Sequence, residues 1–170
     1  MNLVAEEAAG RVEDGFREFV EDRYGPLWRA FYLLTGSREE ADDLAQEAFC
    51  RAFERWERVR GMENPAGYLY RIGLNLHRSV LRRLATVARH AFRSGPPEDL
   101  IEGVDRRDAI RRALVALPVR QREALVLVDW LGLSSEEAGR VLGVAPGTVR
   151  VRVSRARQAL RERGEDEIDG

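Results

Sequence analysis

Apolar residues recur at helical spacing along most of the chain, and few segments alternate as a strand would. In the N-terminal half, the spacing predicts two helices within residues 16–34, bent at Gly25 and Pro26, and a third helix over residues 38–58. Asn64 is placed to cap a fourth helix. The pattern therefore predicts an all-α fold.

The C-terminal half follows residues 94–99, a segment rich in proline and glycine where the sign of the charge changes. Pro118 separates two helices, and a capping box at Ser134 predicts a third, which Gly143 ends. Pro146 is placed to begin a fourth. Apolar positions expected to face inward include Phe53, Trp56, Val80, Ile110, Leu114 and Leu117.

The last helix has two different faces. Val149, Val153, Ala156 and Leu160 line the apolar face, whereas Gly147, Val151, Ser154, Arg155 and Gln158 lie opposite, with Thr148 and Arg150 at the edges. Small, polar and cationic side chains in its first turns suit a helix that enters a DNA major groove. The pair of helices is therefore predicted to be a helix-turn-helix, the alternative being an amphipathic hairpin with a solvated arginine face.

Composition narrows the function classes only slightly. The 170 residues carry a net charge of -1, and all 28 basic residues are arginine. The single cysteine, Cys50, excludes an internal disulfide and a multi-cysteine metal site. Because no apolar run approaches the roughly 20 residues that span a bilayer, and the N-terminus lacks a basic start, we expect a cytoplasmic protein without membrane insertion.

An acidic face follows the predicted N-cap Ser37. Its outward residues include Asp42, Asp43, Gln46 and Glu47. Carboxylates in a first helical turn stabilise the helix dipole, but this explanation weakens at Asp43 and Glu47, which lie beyond that turn. Both a docking surface for a basic partner and a merely solvated face remain open.

Residues 65–96 contain no aspartate or glutamate. Their basic residues are Arg71, Arg78, Arg82, Arg83, Arg89 and Arg93, with His77 and His90 beside them. Such a block in a chain of near-zero net charge indicates a polyanion-binding surface. Tyr68 and Tyr70 could stack on unpaired bases or serve as ordinary core aromatics, and the sequence leaves both open.

Three motifs in this order resemble the extracytoplasmic-function group of bacterial RNA polymerase sigma factors. ADDLAQEAF at residues 41–49 is similar to the core-polymerase motif of region two, and NPAGYLYRIGLNL at 64–76 is similar to the minus-ten recognition helix. LPVRQREAL at 117–125 and the GTVR to SRAR segment at 147–157 resemble region four. The chain departs from the family pattern at Ala145, at Ser79 and at the Gly73-Leu74 pair.

The resemblance implies two small helical domains joined by a flexible linker. Region two would span residues 1–94, and the linker would span residues 95–104. Region four, with four helices, would span residues 105–163. Residues 164–170 would form an acidic, disordered tail. It also implies that the protein binds core polymerase and directs it to promoters. The implied partners are the clamp helices of the largest subunit, the beta flap and promoter DNA, and an anti-sigma factor is left open.

The resemblance also assigns candidate residues. Core polymerase would be bound by Asp42, Asp43, Gln46 and Glu47. The minus-ten strand would contact Arg58, Arg60, Asn64, Tyr68, Arg71, Asn75, Arg78 and Arg82. The minus-thirty-five duplex would contact Thr148, Arg150, Val151, Ser154, Arg155 and Arg157.

Three other function classes compete with this interpretation. A stand-alone helix-turn-helix regulator would explain the C-terminal half but leaves the acid-free block without a purpose. An enzyme is disfavoured because no glycine-rich phosphate loop or cysteine-histidine cluster is present, and no cofactor or metal is expected. A helical adaptor would lack affinity for nucleic acid.

Overall fold

The computed structural model describes residues 3–90 and 106–166, with side chains described for residues 15–86 and 110–163. All regular secondary structure in these ranges is helical, which confirms the all-α prediction. The predicted linker, 95–104, lies outside the described residues. The helices are α1 Leu3–Thr35, α2 Arg38–Phe53, α3 Trp56–Val59, α4 Pro65–His90, α5 Arg106–Val115, α6 Val119–Leu125, α7 Ser135–Leu142 and α8 Pro146–Asp166.

Helix α1 is the hub of the fold. Leu27, Ala30, Phe31 and Leu34 form its buried stripe, each no more than 2% exposed, and the helix contacts α2, α4, α5 and α6. The prediction of two helices bent at Gly25 and Pro26 is wrong, because α1 continues through Pro26. An interior proline costs roughly 3 kcal/mol, and burial of several large side chains next to it offsets such a cost.

Helix α2 begins where predicted but ends early. Its cap is the Ser37 hydroxyl, which accepts a hydrogen bond from the Glu40 amide at 3.3 Å. The predicted extension to residue 58 is wrong, because a turn follows Phe53 and α3 begins at Trp56. This break turns the Trp56 ring into the core, 5.0 Å from the Phe19 ring, whereas Phe53, predicted to be buried, is 49% exposed.

Helix α4 packs unusually close to α1. The Asn64 side chain caps it as predicted, accepting a hydrogen bond from the Gly67 amide at 2.7 Å. A Cβ atom at Gly73 would lie only 1.8 Å from Cζ of Phe31, so only glycine fits there. Leu74 beside it is buried. Core packing therefore accounts for the Gly73-Leu74 departure from the family pattern. Val80, farther along α4, was expected to face inward, but it is 40% exposed.

The last four helices form the C-terminal unit. Leu114 and Leu117 are buried as expected, whereas Ile110 is 57% exposed, contrary to prediction. A π-helical turn, Val126–Trp130, follows α6 and was not predicted. Helix α8 extends through Asp166, so the first three residues of the predicted disordered tail are helical. Residues 167–170 lie outside the described part of the chain.

The two helical units pack against each other. Helix α1 contacts α5 and the π-helical turn, and α4 contacts α7. At the end of α1, the backbone oxygen of Gly36 accepts a hydrogen bond from Arg111 of α5 at 3.2 Å. Most of the buried apolar residues described in the two units belong to one continuous cluster.

Gly73→Ala should destabilise the protein by about 1 to 3 kcal/mol, because the added methyl group must displace the Phe31 ring. Urea unfolding followed by circular dichroism measures this change. Gly147→Ala is the matched control, since its Cβ would lie 3.9 Å from Arg150, an ordinary contact, and alanine favours a helix. Equal stability of the two variants would contradict the close packing of α1 on α4.

Candidate nucleic-acid interface

A groove of about 600 Å³ lies between α2 and α4. Its α2 wall carries Glu40, Asp43 and Glu47, and its α4 wall carries Asn75, Arg82 and Arg83. Burial, followed by the negative charges of Glu39 and Asp43, raises the pKa of Glu40. The α2 wall is thus mainly acidic, with Arg51 beside Glu47, and the α4 wall is basic. The groove brings candidate residues for polymerase and for DNA to the same place.

Three of the four candidate polymerase residues are accessible. Asp43, Gln46 and Glu47 are exposed, and Glu47 pairs with Arg51 at 2.7 Å. Asp42 instead holds α1 and α2 together, because its Oδ1 accepts hydrogen bonds from Trp28 Nε1 at 2.6 Å and from the Tyr24 hydroxyl at 3.3 Å. Burial, and secondarily the charge of Asp42, raises the pKa of Tyr24.

The candidate minus-ten residues of α4 lie on one face of the helix. Tyr68, Arg71, Asn75, Arg78 and Arg82 are separated by three or four positions. The Arg71 guanidinium lies 5.8 Å from the centre of the Tyr68 ring, and Arg71, Asn75 and Arg82 are exposed. Tyr70, the other open assignment, is 6% exposed and belongs to the core.

The segment before α4 contributes the remaining candidates. Arg58 and Arg60 are exposed, and Arg60 forms an ion pair with Glu57 at 2.6 Å. Asn64 uses its side-chain oxygen as the cap of α4. The cap does not use the side-chain nitrogen of Asn64. This nitrogen can therefore donate to a base while the oxygen keeps its hydrogen bond to Gly67.

Arg78 is bound inside the molecule. Its Nε and Nη2 donate hydrogen bonds to both carboxylate oxygens of Glu123, at 2.8 and 2.7 Å. The Arg78 side chain is 32% exposed and that of Glu123 fully buried. The hydrogen bonds to Glu123 raise the pKa of Arg78. The sequence analysis missed Glu123, since a glutamate among arginines in an amphipathic helix gives no sign of burial.

His77 lies next to this pair. It is 3% exposed, and its Nε2 has no hydrogen-bond partner. Burial, followed by the positive charge of Arg122, lowers the pKa of His77. The neutral imidazole is therefore the form that suits the folded protein.

The helix-turn-helix geometry depends on two glycines. Gly143 ends α7 in the left-handed conformation with φ 70°, and a Cβ at Gly139 would lie 2.8 Å from the Val144 backbone oxygen. The capping box of α7 is present as predicted, with Ser134 and Glu137 bonded reciprocally at 2.8 and 3.2 Å. This close turn fixes α8 against α7.

The outward face of α8 carries most of the candidate minus-thirty-five residues. Thr148, Arg150, Val151, Ser154 and Arg155 are all exposed, whereas Val149, Val153 and Ala156 are at most 5% exposed. Arg157 is also exposed, but its Nε and Nη2 donate hydrogen bonds to the two carboxylate oxygens of Asp129, at 3.0 and 2.6 Å. The exposed set forms a mostly polar and cationic surface on the first half of α8, with the apolar Val151 among its residues and with Arg150 3.7 Å from Glu136 of α7.

Neither a metal site nor a membrane-spanning helix is present in the part of the chain that the structure describes. No group of three histidine, cysteine, aspartate or glutamate residues there could hold a metal ion. No described helix is both long and apolar enough to cross a membrane.

Lowering the pH should destabilise the wild type more than a His77→Leu variant. Because the folded pKa of His77 is lowered, the unfolded chain binds the proton first as the pH falls through about 6.5. Stability from neutral His77 is therefore complete above that pH and is lost below it, until the folded pKa is reached. The measurement is the unfolding free energy of both proteins between about pH 8 and about pH 5.

The difference between the two proteins isolates His77, because all other groups titrate in both. Two curves that stay parallel across this range would contradict the lowered pKa, because His77 would then bind its proton equally well in the folded and unfolded states.

Comparison with known proteins identifies the family. Residues 19–87 match the family model Sigma-70 region 2, and residues 107–160 match Sigma-70, region 4. Together the matched ranges cover more than half of the chain.

Curated relatives and a solved structure agree with these matches. The chain is 35% identical over 159 residues to the ECF RNA polymerase sigma factor SigE of Mycolicibacterium smegmatis, covering 85% of this chain and 60% of that relative. It is 32% identical over 149 residues to the RNA polymerase sigma-E factor of Streptomyces coelicolor, covering 86% and 84%.

The sigma factor RpoE of Bartonella quintana, solved in complex with the anti-sigma factor NepR, has a similar structure. Its TM-score is 0.75 at 26% identity, covering 87% of this chain and 95% of that one. The two family models occur here in the same order as the three motifs that carried the resemblance, and they confirm it. The chain therefore belongs to the sigma-70 family, within the extracytoplasmic-function group of RNA polymerase sigma factors, which are transcription initiation factors.

Proposed function

We propose that this chain binds core RNA polymerase through α2 and recognises promoters through α4 and α8. The observation that carries the proposal is the presence, on one chain, of an exposed acidic helix face and two exposed arginine-containing helix faces. A stand-alone regulator is not favoured, because the region 2 match over residues 19–87 would then have no role.

Polymerase binding is assigned to the exposed side of α2. Asp43, Gln46 and Glu47 are solvent-accessible and can pair with arginines of a partner helix, which the family resemblance places on the clamp of the largest subunit. Asp42 helps to position α2 against α1, because it accepts hydrogen bonds from Trp28 and Tyr24. The C-terminal unit would contact the beta flap.

Minus-ten recognition is assigned to the α3–α4 segment. Opening of the duplex costs stacking energy. A protein offsets this cost by binding the opened strand more tightly than the duplex. Residues 58–64 would form the pocket for a flipped base. Tyr68, Arg71, Asn75 and Arg82 then follow one helix face that can hold a single strand.

Minus-thirty-five recognition is assigned to the first half of α8. Arg150 and Arg155 can donate to guanine edges or phosphates, and the exposed Val151 can contact a thymine methyl group. Thr148 and Ser154 add hydroxyl groups on the same face. Arg157 would join them only after leaving Asp129.

Several wider features also belong to the proposal. The domains would span residues 1–94 and 105–163, and the protein would act in the cytoplasm, at the nucleoid, without catalytic activity of its own. An anti-sigma factor is proposed as a further partner, because the similar RpoE structure was solved with one.

Runoff transcription on a pool of genomic promoter fragments tests the function directly. Core polymerase with the purified protein should give start sites that core polymerase alone does not give. Alignment of the upstream sequences would then reveal both recognition elements. Duplex binding without any protein-dependent transcript would favour a stand-alone regulator instead.

Two substitutions should separate the proposed roles of α2 and α8. Arg155→Ala should weaken binding to an isolated minus-thirty-five duplex by about 1 to 3 kcal/mol, while polymerase binding stays intact. Asp43→Ala should weaken polymerase binding and leave duplex binding unchanged. Fluorescence anisotropy with labelled duplex and with core polymerase measures both.

The matched controls are exposed residues of the same types elsewhere. Arg163 lies farther along α8, and Asp22 lies on α1, where it pairs with its neighbour Arg23 at 2.9 Å; each is changed to alanine. Loss of both activities in each of the two test variants would refute the division of roles.

A further inference from the structure

A cavity of about 550 Å³ lies where α4 meets the C-terminal unit. Its volume falls within the roughly 300 to 1,000 Å³ of pockets that bind small molecules, and such pockets occur preferentially between domains. Arginines line it from three helices, namely Arg78 and Arg82 from α4, Arg120 from α6 and Arg152 from α8. Neither Arg120 nor Arg152 is assigned to polymerase or to promoter DNA. The cavity is therefore a cationic surface that the proposed function does not explain.

The positive charge of the cavity is only partly balanced. Glu123 is the one acid among its described lining residues, and both oxygens of Glu123 accept hydrogen bonds from Arg78. No ion pair or side-chain hydrogen bond joins Arg82, Arg120 or Arg152 to another described residue. Arg152 is also partly buried, so water solvates its charge incompletely. Three cations around one cavity favour an anion with more than one negative charge.

The guanidinium groups also indicate which kind of anion fits. Each guanidinium presents a planar fork of donors that binds two phosphate oxygens in parallel. Because Arg82, Arg120 and Arg152 come from three helices, their forks can approach a ligand from different sides. A short chain of phosphates, with a charge on each member, suits this arrangement better than a single carboxylate does.

The remaining lining of the cavity is mainly apolar. Leu81 lies on α4 and Val119 on α6, while Leu142 ends α7 and Val144 lies in the turn that follows. Inorganic phosphate gains nothing from such side chains, whereas the face of a nucleobase is removed from water when it packs on them. Asn75 adds an amide that both donates and accepts hydrogen bonds, as a base edge requires. A ligand with phosphates at one end and a base at the other matches both parts of the cavity.

We propose that this cavity binds a nucleoside triphosphate. Its phosphates contact Arg82, Arg120 and Arg152, and its base packs against Leu81. The site goes beyond the proposed function and does not depend on it, because binding of a free nucleotide requires neither polymerase nor a promoter. The nucleotide contacts both helical units and stabilises the folded protein, as any ligand does that binds only the folded state.

Isothermal titration calorimetry of the full chain with ATP and with GTP tests the site. The buffer contains no magnesium, since this cation would neutralise phosphate charge. We expect a single nucleotide to bind each protein molecule, with an affinity that falls as the salt concentration rises, because the main contacts are between charges. Absence of binding by both nucleotides would overturn the proposal.

Arg120→Gln and Arg152→Gln remove the two cations that have no other assigned role. Each substitution should weaken nucleotide binding roughly tenfold, as loss of one charged hydrogen-bonded contact implies. Arg112→Gln is the matched control, because Arg112 is exposed on α5 and does not line the cavity. Circular dichroism establishes that each variant is folded. An equal loss of affinity in the control would refute the site, since binding would then follow the overall charge.

Leu81→Gln tests the part of the cavity that is assigned to the base. The polar side chain should weaken nucleotide binding roughly fivefold, because less apolar surface is removed from water. Binding of inorganic triphosphate should stay unchanged in this variant. An unchanged nucleotide affinity would contradict the choice of a nucleoside triphosphate over an inorganic polyphosphate.

A DNA strand carries phosphates too, so a fluorescein-labelled single-stranded DNA of random sequence is titrated with the same variants. Unchanged DNA affinity of Arg120→Gln and Arg152→Gln, together with weaker nucleotide binding, would support a separate nucleotide site. Equal weakening of both ligands would overturn the proposal, because the cavity would then belong to the strand-binding surface. Runoff transcription by the wild type tests the proposed function separately, since nucleotide binding is measured without polymerase.

Discussion

Burial of one stripe of α1 is the constraint on which the rest of the structure depends. Leu27, Phe31 and Leu34 are almost completely buried, and they are covered by helices from both units. The stripe keeps α1 helical through Pro26 and admits α4 only where Gly73 has no side chain. The positions of the acidic α2 face and the basic α4 face both follow from this packing.

The two glycine contacts show how small residues place the functional helices. Gly73 lets α4 approach the Phe31 ring, and Gly139 lets α7 approach the Val144 backbone oxygen. Gly73 lies on the buried side of α4, whose outward side carries arginines. Gly139 lies on the buried side of α7, which packs against the arginine-containing helix α8. Packing of the core thus determines which polar residues reach the surface, and the polar residues themselves contribute little to that choice.

The sequence predicted local features well and long-range features poorly. The caps at Ser37, Asn64 and Ser134 depend on neighbouring residues, and all three are present. The path of the chain at Pro26 depends on contacts with distant helices, so local rules predicted a bend there that does not occur. The partners of Asp42 and Arg157 depend likewise on side chains at least 14 positions away, which periodicity does not reveal.

Arg78 illustrates why a site residue identified by its type needs its partners as well. An arginine on the exposed stripe of an acid-free helix fits a phosphate, and the fork of donors that suits phosphate suits a carboxylate equally. Glu123 meets that fork from another helix, and its full burial shows that the carboxylate is held there rather than exposed to solvent. While the two units stay packed, Glu123 holds the Nε and Nη2 donors of Arg78, so an incoming phosphate has only the remaining donors of that guanidinium to bind.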